Sequence, residues 1–201
     1  MSCCGKEEKI LDDKIEEKED DVPLSEQLSK GIKVVVLGEM ATGKTCILHR
    51  WVTNEFVRQT ATVGCAYSSK TITYNKKLIK YEVWDAAGQE RYRSLSSIYY
   101  RNATVALLVY DITRAETFSA VTDWVEELKT KAPDNVMIII VGNKNDLETE
   151  RAVNKESVTD FIKTSDPRII ANMECSAKTG DNINEIFEVI SKRLLEMCNE
   201  Q

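Results

Sequence analysis

Histidine is almost missing: His49 is the only one in 201 residues. It falls in a helical stretch, where a solvated side chain is the ordinary role. Chemistry built on imidazole pairs or histidine metal ligands is therefore without support. No apolar run approaches the length needed to cross a bilayer. The first residues lack the charged-then-apolar pattern of a secretory signal. The six cysteines (Cys3, Cys4, Cys46, Cys65, Cys175 and Cys198) show no zinc-type spacing. Outside a secretory context they predict reduced thiols, not a disulfide framework. No basic excess marks a nucleic-acid surface, and no internal repeat is visible. The expectation is a reduced, cytoplasmic, one-domain protein.

The charge is unevenly placed. Residues 1–30 hold ten acids and five lysines, so they carry −5 of the formal −6; the remaining 171 residues carry −1. "KEEKILDDKIEEKEDD" offers only Ile10, Leu11 and Ile15 as apolar anchors. Such a stretch supports a transient helix through Glu–Lys pairs but buries too little to order itself. Residues 1–30 are therefore expected to form a disordered or weakly helical acidic arm, and 31–198 a folded domain.

That domain alternates two kinds of signal. "IKVVVLG" (32–38) is a continuous apolar run ending in glycine, as in a strand buried on both faces. "AYSSKTITY" (66–74) and "KLIKYEVWD" (77–85) alternate around Asn75-Lys76, a hairpin pattern. Further strands are expected at 104–111, 136–143 and 168–176, with helices at 44–52, 116–131, 155–163 and 182–197. Alternating strands and helices predict a mostly parallel sheet covered on both faces. Ligands of such sheets bind beyond the carboxyl ends of the strands. Six of the eight glycines (Gly38, Gly43, Gly64, Gly88, Gly142 and Gly180) are read as falling there.

Four short motifs accompany those glycines. "GEMATGKT" (38–45) fits G-x-x-x-x-G-K-[ST] between a buried strand and a helix. Backbone N–H groups of Glu39, Met40, Ala41, Thr42, Gly43, Lys44, Thr45 and Cys46 are expected to cradle phosphates at the helix N-terminus. Lys44 would reach the β- and γ-phosphates, and the Thr45 hydroxyl a magnesium ion. "WDAAGQE" (84–90) supplies Asp85 for that hard cation through water. It also supplies the Gly88 N–H for the γ-phosphate and Gln89 to orient an attacking water. Thr62 is read as the residue closing over the magnesium, in preference to Thr60, because Gly64 and the next strand follow closely.

"NKND" (143–146) and "CSAK" (175–178) each end a strand. A carboxylate at Asp146 accepts both N1–H and the exocyclic amine of guanine; adenine offers neither and would leave a buried acceptor unpaired. Asn143 can bond the guanine edge and Lys144 can cover the ring. Beyond Ser176, the Ala177 N–H can meet the guanine carbonyl and Lys178 can cover the base from the other side.

Together GxxxxGK[ST], DxxGQ, NKxD and SAK resemble the Ras-like small GTPases. "VGCAY", "YEVWDAAGQERYRSLSSIYYRNA" and "LLVYDIT" resemble their Rab branch, and "GEMA", "WVEELK" and "IYYR" its early-endosomal members. The resemblance implies an α/β P-loop NTPase fold, a Ras-like G domain with a six-stranded, mostly parallel sheet flanked by five helices. It implies a monomeric GDP/GTP switch in vesicle traffic that hydrolyses GTP with Mg²⁺. It implies two loops, 55–66 and 86–100, that answer to the γ-phosphate and meet an exchange factor, an activating protein and effectors. Tyr67, Trp84 and Tyr99 match the aromatic trio that Rabs show to effectors.

Met40 departs most from the family, which has a small residue there. A longer side chain is expected to crowd Gln89 or an incoming arginine finger and so to slow hydrolysis. The other outcome left open is a GTP-bound scaffold with little or no turnover. Cys198-Asn-Glu-Gln matches a prenylation box in spacing but not in its polar middle residues. Adjacent Cys3 and Cys4 are alternative lipid sites for peripheral attachment, on the cytosolic face of endosomal or other vesicle membranes.

Overall fold

The computed structural model describes residues 23–88 and 99–200. Six strands form one sheet: β1 (Ile32–Leu37), β2 (Cys65–Tyr74), β3 (Lys77–Ala86), β4 (Val105–Asp111), β5 (Met137–Asn143) and β6 (Ile169–Cys175). Their order is β2-β3-β1-β4-β5-β6. Only β2 runs antiparallel to its neighbour; every other pairing is parallel. The β2–β3 hairpin turns on Asn75 (φ 47°) and Lys76 (φ 64°), two left-handed residues that give a type I′ turn.

Residues of β1, β4 and β5 alternate between two cores. Val34, Val36, Leu107, Val109, Ile139 and Val141 face one side; Val35, Leu37, Ala106, Leu108, Ile138 and Ile140 face the other. This is the period-2 rule acting on strands covered by helices on both sides. Helices α2 (Lys44–Thr53) and α5 (Ile183–Glu200) cover the first face. There Trp51 stacks on Phe187 with ring centroids 3.6 Å apart. Helices α3 (Ala115–Lys131) and α4 (Lys155–Thr164) cover the second. In α3, Val121, Trp124, Val125 and Leu128 fall on one stripe, at the spacing a helix needs.

One boundary differs from the sequence reading. Leu24–Lys30 is a helix, α1, inside the segment read as arm. Leu24 and Leu28, four residues apart, are buried in the first core, and α1 touches β3 and α5. Pro23 opens the helix and Gly31 (φ 149°) closes it. An average over thirty charge-rich residues hid this two-leucine anchor. Two glycines also sit elsewhere than expected: Gly64 precedes β2, and Gly142 lies within β5. A Cβ on Gly142 would lie 2.6 Å from the Tyr110 hydroxyl, so the neighbouring side chain explains that glycine.

Strand order reverses at β1, between β3 and β4. The crevice beyond the carboxyl end of β1 is therefore the expected binding position of the sheet.

Candidate functional site

β1 enters a loop whose backbone only certain residues can follow. A Cβ on Gly38 would lie 2.1 Å from the Val109 carbonyl oxygen, and one on Gly43 2.1 Å from Asn143 Nδ2. The left-handed residue of this loop that carries a side chain is Ala41 (φ 64°), not Met40. Met40 thus costs the backbone nothing; its side chain is 51 % exposed at the rim. The Thr42 hydroxyl donates to the Glu39 carbonyl at 3.0 Å and closes the turn. Lys44 folds back across it, its Nζ donating to the Gly38 and Glu39 carbonyls at 2.9 Å each. Burial pulls the Lys44 ammonium down to about 8, against the attraction of Asp85 and Glu39. A phosphate laid on this loop would favour the charged form again.

Beside the loop stand three hard oxygen donors. The Thr45 hydroxyl donates to Asp85 Oδ2 at 2.5 Å and meets the Thr62 hydroxyl at 2.9 Å. Burial raises the Asp85 carboxyl, opposed by the Thr45 hydroxyl, Lys44 and Thr62. Asp85 Oδ1 is buried with no hydrogen-bond partner among the described residues. An orphaned acceptor next to two hydroxyls fits a hydrated magnesium ion, which keeps waters and takes few protein ligands. Gly88 closes this end. A Cβ there would lie 2.4 Å from Lys44 Nζ and 2.7 Å from the Glu39 carbonyl oxygen. Thr60 lines the same cavity, but it is Thr62 whose hydroxyl reaches Thr45.

At the other end, β5 and β6 deliver their terminal loops side by side. Asn143 is buried; its Nδ2 donates to the Thr42 carbonyl at 2.7 Å and its Oδ1 accepts from the Ala177 N–H at 3.1 Å. One amide therefore clamps the phosphate loop to the base-side loop. The Ser176 hydroxyl donates to Asp146 Oδ1 at 2.6 Å and itself accepts the Thr179 N–H at 3.1 Å. Lys178 Nζ lies 3.5 Å from Asp146 Oδ2. Lys144, left-handed at φ 70°, sends its ammonium 2.5 Å from Asp111 Oδ2.

Both ends open into one cavity of about 730 Å³. Its walls include Met40, Ala41, Gly43, Lys44, Thr45 and Cys46 at the phosphate end, with Thr62 and Gly88 above. Asn143, Lys144, Asp146, Ala177 and Lys178 line the other end. Glu39, Thr42, Asp85 and Ser176 stand behind these walls as bonding partners. Gln89 lies outside the described residues, as does most of 86–100.

Three features escaped the sequence reading. Phe56, Arg58 and Gln59 also line the cavity. Buried Asp111 holds Lys144 and lies 3.4 Å from Arg114 Nε. Burial pushes the Asp111 carboxyl up, yet hydrogen bonds from Lys144 and Thr113 outweigh it and hold it below its ordinary value. Arg114 Nη2 in turn donates to the Met40 carbonyl at 2.9 Å. An aspartate closing the apolar run of β4 was the available signal for Asp111; nothing local marks Arg114.

On β2 and β3, Tyr67 and Trp84 are cross-strand partners in edge contact, ring centroids 5.3 Å apart. Tyr67 is 53 % exposed, whereas Tyr99 packs half-buried against the second core.

Comparison with known proteins gives the same picture. The Ras family model matches residues 33–196. The putative ras-related protein Rab-5B of Dictyostelium discoideum is 46% identical over 170 residues, covering 85% of this chain and 78% of that protein. A phosphate loop, a hydroxyl–carboxylate magnesium cluster and an NKxD/SAK rim on one doubly covered sheet, joined to these matches, make the chain a member of the Ras family of small GTPases, in its Rab branch.

Proposed function

We propose that this GTPase runs its GDP/GTP cycle in the 730 Å³ cavity and acts as a switch in endosomal vesicle traffic. The observation that carries the site assignment is the meeting of two chemistries in one cavity. Lys44, Thr45, Thr62 and Asp85 gather at one end, and Asp146, oriented by Ser176, at the other. Lys44 neutralises phosphate charge. Thr45, Thr62 and Asp85 would hold a hydrated magnesium ion, which would supply charge neutralisation to the phosphates. Asp146 selects guanine over adenine. Gln89 orients water for attack on the γ-phosphate, and Gly88 N–H senses that group.

Thr62 and Gly88 tie the 55–66 and 86–100 segments to the γ-phosphate. Regulators and effectors read those segments together with Tyr67, Trp84 and Tyr99. Membrane attachment is through a lipidated cysteine; among the described residues no helix is long and apolar enough to cross a bilayer. Cys198 sits half-buried in α5 against the first core, so Cys3 and Cys4 are the better lipid candidates.

Displacement of a fluorescent GDP from the purified chain tests the site. GDP and GTP displace it in the presence of magnesium and ADP and ATP do not. Displacement by ADP at similar concentration contradicts the assignment.

A further inference from the structure

Arg50 lies in α2 nearly two turns past Lys44, and sequence patterning gives it no role. Its guanidinium makes three hydrogen bonds, all to carbonyls. Nε donates to Ala177 at 2.9 Å, Nη2 to Lys178 at 2.6 Å and Nη1 to Asn54 at 2.7 Å. Asn54 is the left-handed residue that ends α2, and its N–H returns to the Arg50 carbonyl at 2.8 Å. One planar side chain therefore joins the end of the phosphate-loop helix to two successive residues of the base-side loop.

The geometry of the peptide unit gives this a consequence. In a trans peptide the C=O and the following N–H point in opposite directions. Drawing the Ala177 carbonyl toward Arg50 turns the Lys178 N–H away from α2. Drawing the Lys178 carbonyl the same way turns the Thr179 N–H inward, where Ser176 Oγ accepts it at 3.1 Å. On the inner side the Ala177 N–H is already oriented by Asn143 Oδ1 at 3.1 Å. Arg50 thus fixes from behind a loop whose Ala177 and Thr179 N–H groups are fixed from the other side by Asn143 and Ser176. A lysine at this position has no planar fork and cannot hold three carbonyls in one arrangement.

We propose that Arg50 is a positioning residue for recognition of the 6-oxygen of guanine, holding the Ala177–Lys178 peptide unit so that the Lys178 N–H is presented to that oxygen, while the flanking Ala177 and Thr179 N–H groups bond Asn143 and Ser176. The proposal rests on the guanosine assignment above and adds to it a side chain that never touches the base.

The test uses the full chain with Arg50→Gln and Arg50→Lys. Affinities are measured for GDP, for 6-thio-GDP, which keeps N1–H and the 2-amino group but offers a weak sulfur acceptor, and for IDP, which lacks only the 2-amino group. The parent prefers GDP to both analogues. Losing hydrogen bonds from a charged donor is worth about tenfold or more. Arg50→Gln should therefore bind GDP about tenfold more weakly, bind 6-thio-GDP within about twofold of the parent, and keep its GDP-over-IDP ratio. Arg50→Lys should fall between. An equal loss on GDP and 6-thio-GDP, or unchanged binding of both, overturns the proposal; so does a parent indifferent to the 6-thio substitution. A parent that binds ADP as well as GDP fails at the guanosine assignment itself, and the two failures are thereby told apart.

Discussion

Met40 stands where the family has a small residue, with its side chain half in solvent and its carbonyl held by Arg114. The phosphate cradle is backbone, so nucleotide binding is expected to tolerate the substitution. We propose that hydrolysis is slowed, a long side chain at this rim crowding Gln89 or an incoming arginine finger. A finger contributes up to about 10⁵ in rate, near 7 kcal/mol of barrier. Met40→Gly is expected to raise single-turnover GTP hydrolysis, and to raise it more with an activating protein present, leaving GDP affinity within about twofold. A rate equal to the parent's would refute steric crowding. A second residue-scale prediction concerns Lys76, held at φ 64° in a type I′ turn that prefers glycine there. Lys76→Gly should raise stability by about 0.5–1 kcal/mol, a rise of roughly 1–4 °C in melting temperature by calorimetry.

At the scale of elements, the strands and four of the helices were legible because their apolar periods are unambiguous. The runs at 104–111 and 136–143 match β4 and β5 to within a residue. The helix α1 was not legible, since Leu24 and Leu28 are diluted by the charged residues before them. Its burial makes it part of the body rather than of the arm. Leu28→Ala should destabilise the chain by about 2–4 kcal/mol, the usual cost of emptying a packed leucine site. A thermal shift near zero would return α1 to the arm. Contacts such as Arg50–Ala177 and Arg114–Met40 were beyond sequence reading for a different reason. They join residues 127 and 74 positions apart, and no local period records them.

At the scale of the whole molecule, the sheet collects loops from five strand ends around one cavity. The phosphate loop, Asp85 and the NKxD and SAK rims were legible because each is a short, chemically constrained motif at a strand end. What holds those motifs together was not: Asn143 bridging Thr42 and Ala177, Asp111 holding Lys144, and Ser176 setting Asp146. Asp85 Oδ1 is buried without a hydrogen-bond partner among the described residues, which supports the proposal that nucleotide retention depends on the metal. Chelating magnesium should therefore speed GDP release at least about tenfold in a fluorescent-nucleotide assay, and excess Mg²⁺ should restore the slow rate.

The central claim is that the Asp146 carboxylate tells guanosine from other purines by accepting two donors. Asp146→Asn exchanges an acceptor-only group for one that also donates. Xanthine carries an oxygen where guanine carries its amine. The measurement is the ratio of GDP to xanthosine diphosphate affinity in the parent and in Asp146→Asn. A strong GDP preference in the parent that reverses to xanthosine diphosphate in the variant is the predicted result. A folded variant that still prefers GDP as the parent does would contradict the account.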